Sequence, residues 1–323
     1  VMAFRLGVIG AGTHGERYLR HAAKDVPGMA ISGLMRRDAT AGAELARRLG
    51  CNCFRSPQEL VEDPAVDGVV VCTPPSSHAE LAALVLAADK PLLLEKPMTA
   101  TLQEARRLAD LDRDAGPAAL MVAHTLRWNP VISKARELWP RLGTVHLVRL
   151  AQRLPPTTLA WQRNPAETVG GSVLLTGVHL FDLVRFLTGA EFLEIDSRQE
   201  QVMNPAVEDL FLARGRLGDG SWVSLEVSKY TQSRACWLEA VGEDGQLWAD
   251  YQQGGLVLRS GGQETRLDVD ARVPTLPAVL TAWLASVREQ EPPPVTVEDG
   301  LATMQVVDAC YRSAAQKTAV AVT

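Results

Sequence analysis

The chain alternates short, unbroken apolar runs with stretches whose apolar positions recur every three or four residues. Phe4–Ile9, Ala30–Met35, Gly68–Cys72, Pro91–Leu94 and Ala119–Ala123 are short and almost wholly apolar, which predicts strands buried on both faces. Between them, Glu16–Lys24, Ala41–Leu49, His78–Ala88 and Leu102–Ala115 carry the helical period. Strand alternating with helix predicts a parallel sheet with helices on both faces, a doubly wound α/β unit.

The rhythm changes after residue 123. Pro130–Leu138 predicts a helix, Thr144–Arg153 a strand, and the Pro-, Thr- and Asn-rich Arg153–Gly171 a loop. Ser172–Leu187 resumes the helical period and stops at Gly189. Then come Phe192–Gln201, Asp209–Leu217, Ser221–Ser228, Cys236–Gly242, Gln246–Ala249, Gly255–Arg259 and Glu264–Val269, all strand-like. Turns such as Gly218-Asp219-Gly220 and Glu243-Asp244-Gly245 join them and suit hairpins. This predicts a large, mostly antiparallel open sheet. Helices Thr275–Glu289 and Val297–Gln316 flank the break at Pro292-Pro293-Pro294. The expected class is α/β, with a first domain over residues 1–123 and a second α/β domain over residues 124–323.

A length of 323 residues suits two domains, and 46% hydrophobic with 22% charged residues is ordinary globular composition. A net charge of −5, with Lys and Arg scattered, argues against nucleic acid as a partner. No apolar run approaches a membrane span, and the first residues lack the layout of a signal peptide. Five cysteines are too few and too spread for a disulfide scaffold, and Cys51 and Cys53 lack a second ligand pair for zinc. The expectation is a cytoplasmic protein with a small-molecule substrate and neither nucleic acid, membrane nor metal as partner.

The sharpest chemistry lies at Gly10-Ala11-Gly12-Thr13-His14-Gly15, directly after the first strand and ahead of a helix. This is G-x-G-x-x-G in its proper setting, the signature of a dinucleotide-binding turn. Gly10 permits the tight turn, Gly12 lets backbone approach a pyrophosphate, and Gly15 lets helix and strand pack. The helix amino terminus, with Thr13 and His14, offers free N–H groups and a positive dipole end. NAD sites usually carry an acid about 20 residues on, at the end of the second strand. Here Arg36 and Arg37 stand there. A guanidinium gains a charge-assisted contact with a 2′-phosphate, so NADP is the expected cofactor, with NAD possible. In the competing reading both arginines are solvated and Asp38 takes the ribose hydroxyl.

Further motifs follow in order: Thr73-Pro74-Pro75-Ser76-Ser77-His78, Glu95-Lys96-Pro97, Arg127-Trp128-Asn129-Pro130, and Gly170-Gly171 followed by Gly177-Val178-His179. Together with the glycine turn the chain resembles the Gfo/Idh/MocA oxidoreductases over essentially its whole length. The resemblance implies a Rossmann domain, an α/β domain with a large open sheet, and homodimers or homotetramers joined through that sheet. It also implies NAD(P)-linked hydride transfer, commonly on a sugar or polyol. It places Thr73, Pro74 and His78 in the cofactor cleft, and Glu95 and Lys96 beside the nicotinamide ribose, with a cis bond at Lys96-Pro97. Trp161-Gln162 occupies the stretch where the family often has Trp-Arg near the nicotinamide; alternatively Trp161 anchors its loop.

One position departs from the pattern. The family carries Asp-x-x-x-His on the first helix of the second domain, and His179 has Leu175 four residues before it. Residues four apart share a helical face, so that carboxylate and imidazole would act together. Leucine does neither job. Either Lys96 and His179 act on a less hydroxylated substrate, or Asp182 or Thr176 takes part of the lost role, or the protein binds the cofactor without chemistry, as a sensor or subunit. Asp182 is equally a structural acid. His124 and Arg127 are expected to line the substrate cleft, and Arg127 either meets an anionic substrate or braces structure. The expected function is an NADP-dependent oxidoreductase on a carbonyl or hydroxyl carbon of a sugar-like or less polar molecule. An enzyme using tightly held cofactor transiently, in glycoside cleavage or sugar–sugar oxidoreduction, is the alternative within the same class.

Overall fold

The computed structural model describes residues 2–323. In chain order its elements are β1 (Phe4–Ile9), α1 (Thr13–Lys24), β2 (Met29–Met35), α2 (Ala39–Leu49), β3 (Asn52–Phe54), α3 (Pro57–Glu62), β4 (Gly68–Val71), α4 (His78–Ala87), β5 (Leu92–Glu95), α5 (Leu102–Ala115) and β6 (Leu120–Ala123). There follow α6 (Pro130–Leu138), β7 (Val145–Arg153), α7 (Pro165–Thr168), α8 (Val178–Thr188), β8 (Phe192–Glu200), β9 (Leu210–Leu217), β10 (Trp222–Ser228), β11 (Ala235–Gly242), β12 (Gly245–Asp250), β13 (Gly255–Ser260), β14 (Gln263–Asp268), α9 (Thr275–Glu289), α10 (Val297–Gln316) and β15 (Val320–Ala321). The chain divides into two compact units, residues 2–124 with 275–301, and residues 125–274 with 302–323.

In the first unit six strands run parallel in the order β3-β2-β1-β4-β5-β6. The order reverses beside β1, so the carboxyl ends of β1 and β4 part company there and leave a crevice, the usual ligand site of such sheets. β4, β5 and β6 are buried at every position, as apolar runs in a sheet covered on both faces must be. The sequence pattern did not reveal β3 and α3, which are only three and six residues long. Chain far downstream completes this unit: Trp283 of α9 is fully buried and meets Phe4 edge to face at 5.5 Å.

In the second unit nine strands form one sheet, β14-β13-β12-β11-β7-β10-β9-β8-β15. All neighbours are antiparallel except β7 and β10. Phe181 of α8 packs edge to face on Phe192 and Phe211, which fixes α8 against one face of the sheet. Asn129 caps α6 through the Val131 and Ile132 N–H groups and donates from Nδ2 to the Tyr251 carbonyl. Ahead of α8, Val173–Gly177 is π-helical. No helix among the described residues is long and apolar enough to cross a membrane, and no group of described residues could hold a metal ion.

Candidate functional site

Gly10 and Gly15 have the close backbone approaches that the spacing predicts. Gly10 has φ of 92°, and a Cβ there would lie 2.5 Å from the Cys72 carbonyl oxygen. A Cβ on Gly15 would lie 2.4 Å from the Gly10 carbonyl oxygen. Gly12 is different. Its φ of −77° suits any residue, and a Cβ there would meet nothing within 4 Å. Neither backbone nor packing demands glycine at that position. The open space beside it adjoins the amino terminus of α1, where no side chain caps the helix. Free N–H groups next to open space fit a pyrophosphate.

At the end of β2, the Asp38 carboxylate accepts the Ala41 N–H and caps α2. It is therefore already engaged in helix structure. Arg36 is half-buried and Arg37 exposed, and the Arg36 Cβ lies at the surface of Gly42 on α2.

A polar cluster occupies the crevice side of β1, β4 and β5. Glu95 Oε1 accepts from Tyr18 Oη and faces His14 Nε2, both at 2.7 Å, while Oε2 accepts its neighbour's Lys96 N–H at 3.0 Å. Burial alone would push this carboxyl up, but His14, Lys96 and Tyr18 outweigh it and hold it at about 2. Burial pushes the Lys96 ammonium down from its ordinary value, and Glu95 and Cys72 partly offset this. The Lys96-Pro97 bond is cis. His78 is buried, with Nδ1 at 2.8 Å from the Pro97 carbonyl and Nε2 at 2.8 Å from the Thr73 carbonyl. It ties the Thr73-Pro74 turn to the turn after Lys96. Burial lowers its pKa against the pull of those two carbonyls. His124, at the end of β6, is buried.

In the second unit Asp182 and Arg127 are spent on each other. Arg127 Nη2 donates at 2.6 Å and Nε at 3.0 and 3.1 Å to the Asp182 carboxylate; Asp182 is buried and Arg127 is part-buried. The guanidinium also lies over Phe186, 5.3 Å from the ring centre. Half-buried His179 stands on the first turn of α8, and Thr176 is buried just before it. The π turn interrupts the four-residue period that the sequence used to put Leu175, Thr176 and His179 on one face. Leu175 borders a cavity of about 400 Å³ between the Gly170-Gly171 turn, the 203–209 segment and the end of β10; Thr176 and His179 do not line it. Trp161 lies half-buried on the short turn Ala160–Arg163.

Several residues of these two sites escaped the sequence reading. Tyr18 lies four residues after His14, one helical turn on, and that spacing was the available signal. Glu208 accepts the Gly171 and Val173 N–H groups and the Tyr311 hydroxyl, although nothing near it in sequence marks it out. The Gly170-Gly171 pair itself was a clue to close backbone approach: a Cβ on Gly171 would lie 1.9 Å from the Glu208 carbonyl oxygen.

Comparison with known proteins covers most of the chain. Residues 4–124 match the oxidoreductase family's NAD-binding Rossmann fold, and residues 140–322 match the same family's C-terminal alpha/beta domain. A 1,5-anhydro-D-fructose reductase of Ensifer adhaerens is 29% identical, covering 96% of each chain. A myo-inositol 2-dehydrogenase of Thermotoga maritima is 27% identical, covering 98% of each. The crystal structure of GenD2 from gentamicin A biosynthesis, in complex with NAD, is 26% identical with a TM-score of 0.88, over 100% of this chain and 97% of that one. The chain belongs to the Gfo/Idh/MocA family of oxidoreductases. It is an NAD(P)-linked dehydrogenase or reductase acting on CH–OH or C=O groups.

Proposed function

We propose that this enzyme is an NADP-dependent oxidoreductase of a small, hydroxylated molecule, with Lys96 and His179 handling the proton. The observation that carries the reading is the cluster at the end of β5, where a lysine of lowered pKa adjoins a turn open to a pyrophosphate. When bound, the nicotinamide supplies hydride exchange: a carbinol C–H bond breaks with its electron pair leaving to the cofactor, or the reverse in reduction. The hydroxyl proton must then go to a base. A neutral Lys96 Nζ takes it, and as an ammonium it stabilises the developing oxyanion. Glu95, fixed by Tyr18 and His14, holds the main chain at Lys96 in place. His179 is the second proton carrier, by residue type and by its place in the family pattern. The Asp182 carboxylate, bound to Arg127, orients α8 rather than substrate in this proposal.

NADP is favoured over NAD because Asp38 is engaged as a helix cap while Arg36 and Arg37 follow directly on the end of β2. Titration of the cofactor-free enzyme tests this. NADPH is expected to bind at least about tenfold tighter than NADH, and Arg36→Ala should remove most of the difference. Equal or tighter NADH binding overturns the NADP assignment and leaves the oxidoreductase reading standing. We also infer that the open face of the nine-stranded sheet, which carries exposed Trp222 and Trp248, joins copies of this chain.

A further inference from the structure

The cavity of the second unit, about 400 Å³ in volume, is the size of a small-molecule pocket. Carbon makes up most of its open wall, from Pro156, Leu175, Met203, Pro205, Ala206 and Val207. The Leu175 N–H donates to the Gly171 carbonyl at 2.9 Å, which ties its main chain to the glycine turn. The side-chain oxygens of the neighbouring polar residues already accept from the protein. Asp209 is buried and accepts the Val202 N–H at 2.6 Å and those of Met203 and Asn204 at 2.8 Å. Glu208 Oε1 accepts the Gly171 and Val173 N–H groups at 3.1 Å and the Tyr311 hydroxyl at 2.9 Å. Asn204 Oδ1 accepts the Ala206 N–H at 3.0 Å, and Gln162 Oε1 accepts from Lys229 Nζ at 3.3 Å. A sugar hydroxyl pressed against the carbon part of this wall loses its water and gains no partner.

One polar group of the wall stands apart. Ser172 is fully buried, and its hydroxyl has no hydrogen-bond partner among the described residues. Leaving a buried hydroxyl unpaired is costly, so such groups are normally satisfied. A ligand hydroxyl can satisfy this one.

We propose that this cavity selects a deoxy sugar as substrate. The methyl or methylene edge of the sugar lies on Leu175 and Met203, and one of its hydroxyls meets Ser172 Oγ. The proposal rests on the oxidoreductase reading for the word substrate. The deoxy edge buries carbon against carbon, whereas the parent sugar must strip a hydroxyl there without replacing its bonds. A carbon-walled pocket discriminates against one added hydroxyl by up to about 100-fold.

The test pairs D-fucose with D-galactose, L-rhamnose with L-mannose, and 2-deoxy-D-glucose with D-glucose on the full-length chain. Binding is read by calorimetry, and turnover by nicotinamide absorbance. At least one deoxy sugar is expected to exceed its parent by about tenfold or more in kcat/KM, mainly through KM. Leu175→Asn offers the parent hydroxyl a partner and should erase or reverse that preference, while Leu175→Met should retain it. Ser172→Ala should raise the Tm of the ligand-free chain, because the unpaired hydroxyl is gone, yet weaken the preferred sugar by about fivefold or more. A serine with only a structural role would move stability and affinity in the same direction. Parent sugars used as well as their deoxy partners in every pair, a preference indifferent to Leu175→Asn, or no binding of either set overturns the proposal. Turnover of the sugars without deoxy preference refutes the selection and keeps the oxidoreductase. Deoxy-selective binding that follows Leu175, without nicotinamide turnover, keeps the site and refutes the oxidoreductase.

Discussion

Burial and a neighbouring carboxylate pull the Lys96 ammonium in opposite directions, and burial wins. Its pKa therefore lies below the ordinary lysine value of 10.5. In the oxidative direction the neutral amine is the active form, so kcat/KM should rise with pH through this lowered pKa and level off above it. In the reductive direction the ammonium is the active form and the limb should fall instead. Lys96→Arg should abolish the limb, since a guanidinium does not deprotonate in this range. Lys96→Ala and His179→Ala should each lower kcat by about 100-fold or more, the usual scale of general acid–base catalysis. Full activity in either variant removes that residue from the mechanism. At this scale the legible part was what a fixed spacing records: Gly10, Gly12, Gly15, and Glu95 before Lys96. Glu208 and Lys229 were not legible, because they reach the cavity wall through tertiary folding and lie 29 or more residues from His179 in sequence.

The longest elements announced themselves in the sequence, and the shortest did not. α9 shows why an element's existence is easier to read than its place. Its helical period was plain, but the period says nothing about which sheet it covers. The structure puts it on the first unit, where Trp283 is fully buried and contacts Phe4. Arg288 Nη2 adds a bond to the Gly28 carbonyl at 3.0 Å. Trp283→Ala should therefore destabilise the first unit by about 3–5 kcal/mol, the range for deleting a buried tryptophan. Urea denaturation followed by NADPH binding would read that unit selectively. A loss under about 1 kcal/mol would mean that α9 is dispensable to the Rossmann sheet. The π turn ahead of α8 was likewise invisible, because a single wide turn leaves no mark on an otherwise helical pattern.

For the whole molecule the decisive feature is a sheet with one face left open. α8 covers the face of Phe192 and Phe211, and the opposite face alternates with it along each strand. That opposite face carries Trp222, Leu212 and Trp248, all exposed, with half-buried Trp237 and Leu147. Several of its charges are paired: Arg149 with Glu239 at 2.9 Å and Arg153 with Glu226 at 2.6 Å, while Arg214 at 3.1 Å and Arg198 at 2.6 Å share Asp196. Exposed tryptophans among paired charges are typical of a surface meant to be covered, since desolvating a satisfied ion pair leaves no lone charge behind. A two-fold axis through this face would bring the same residues of two copies together. The strand alternation was readable from sequence, but not which face the helices would take. Sedimentation should show a dimer or tetramer, and Trp222→Glu with Trp248→Glu should shift it toward monomer. Cofactor binding belongs to the first unit and should survive that change. A monomeric wild-type chain, or an oligomer indifferent to both substitutions, would move the interface off this sheet.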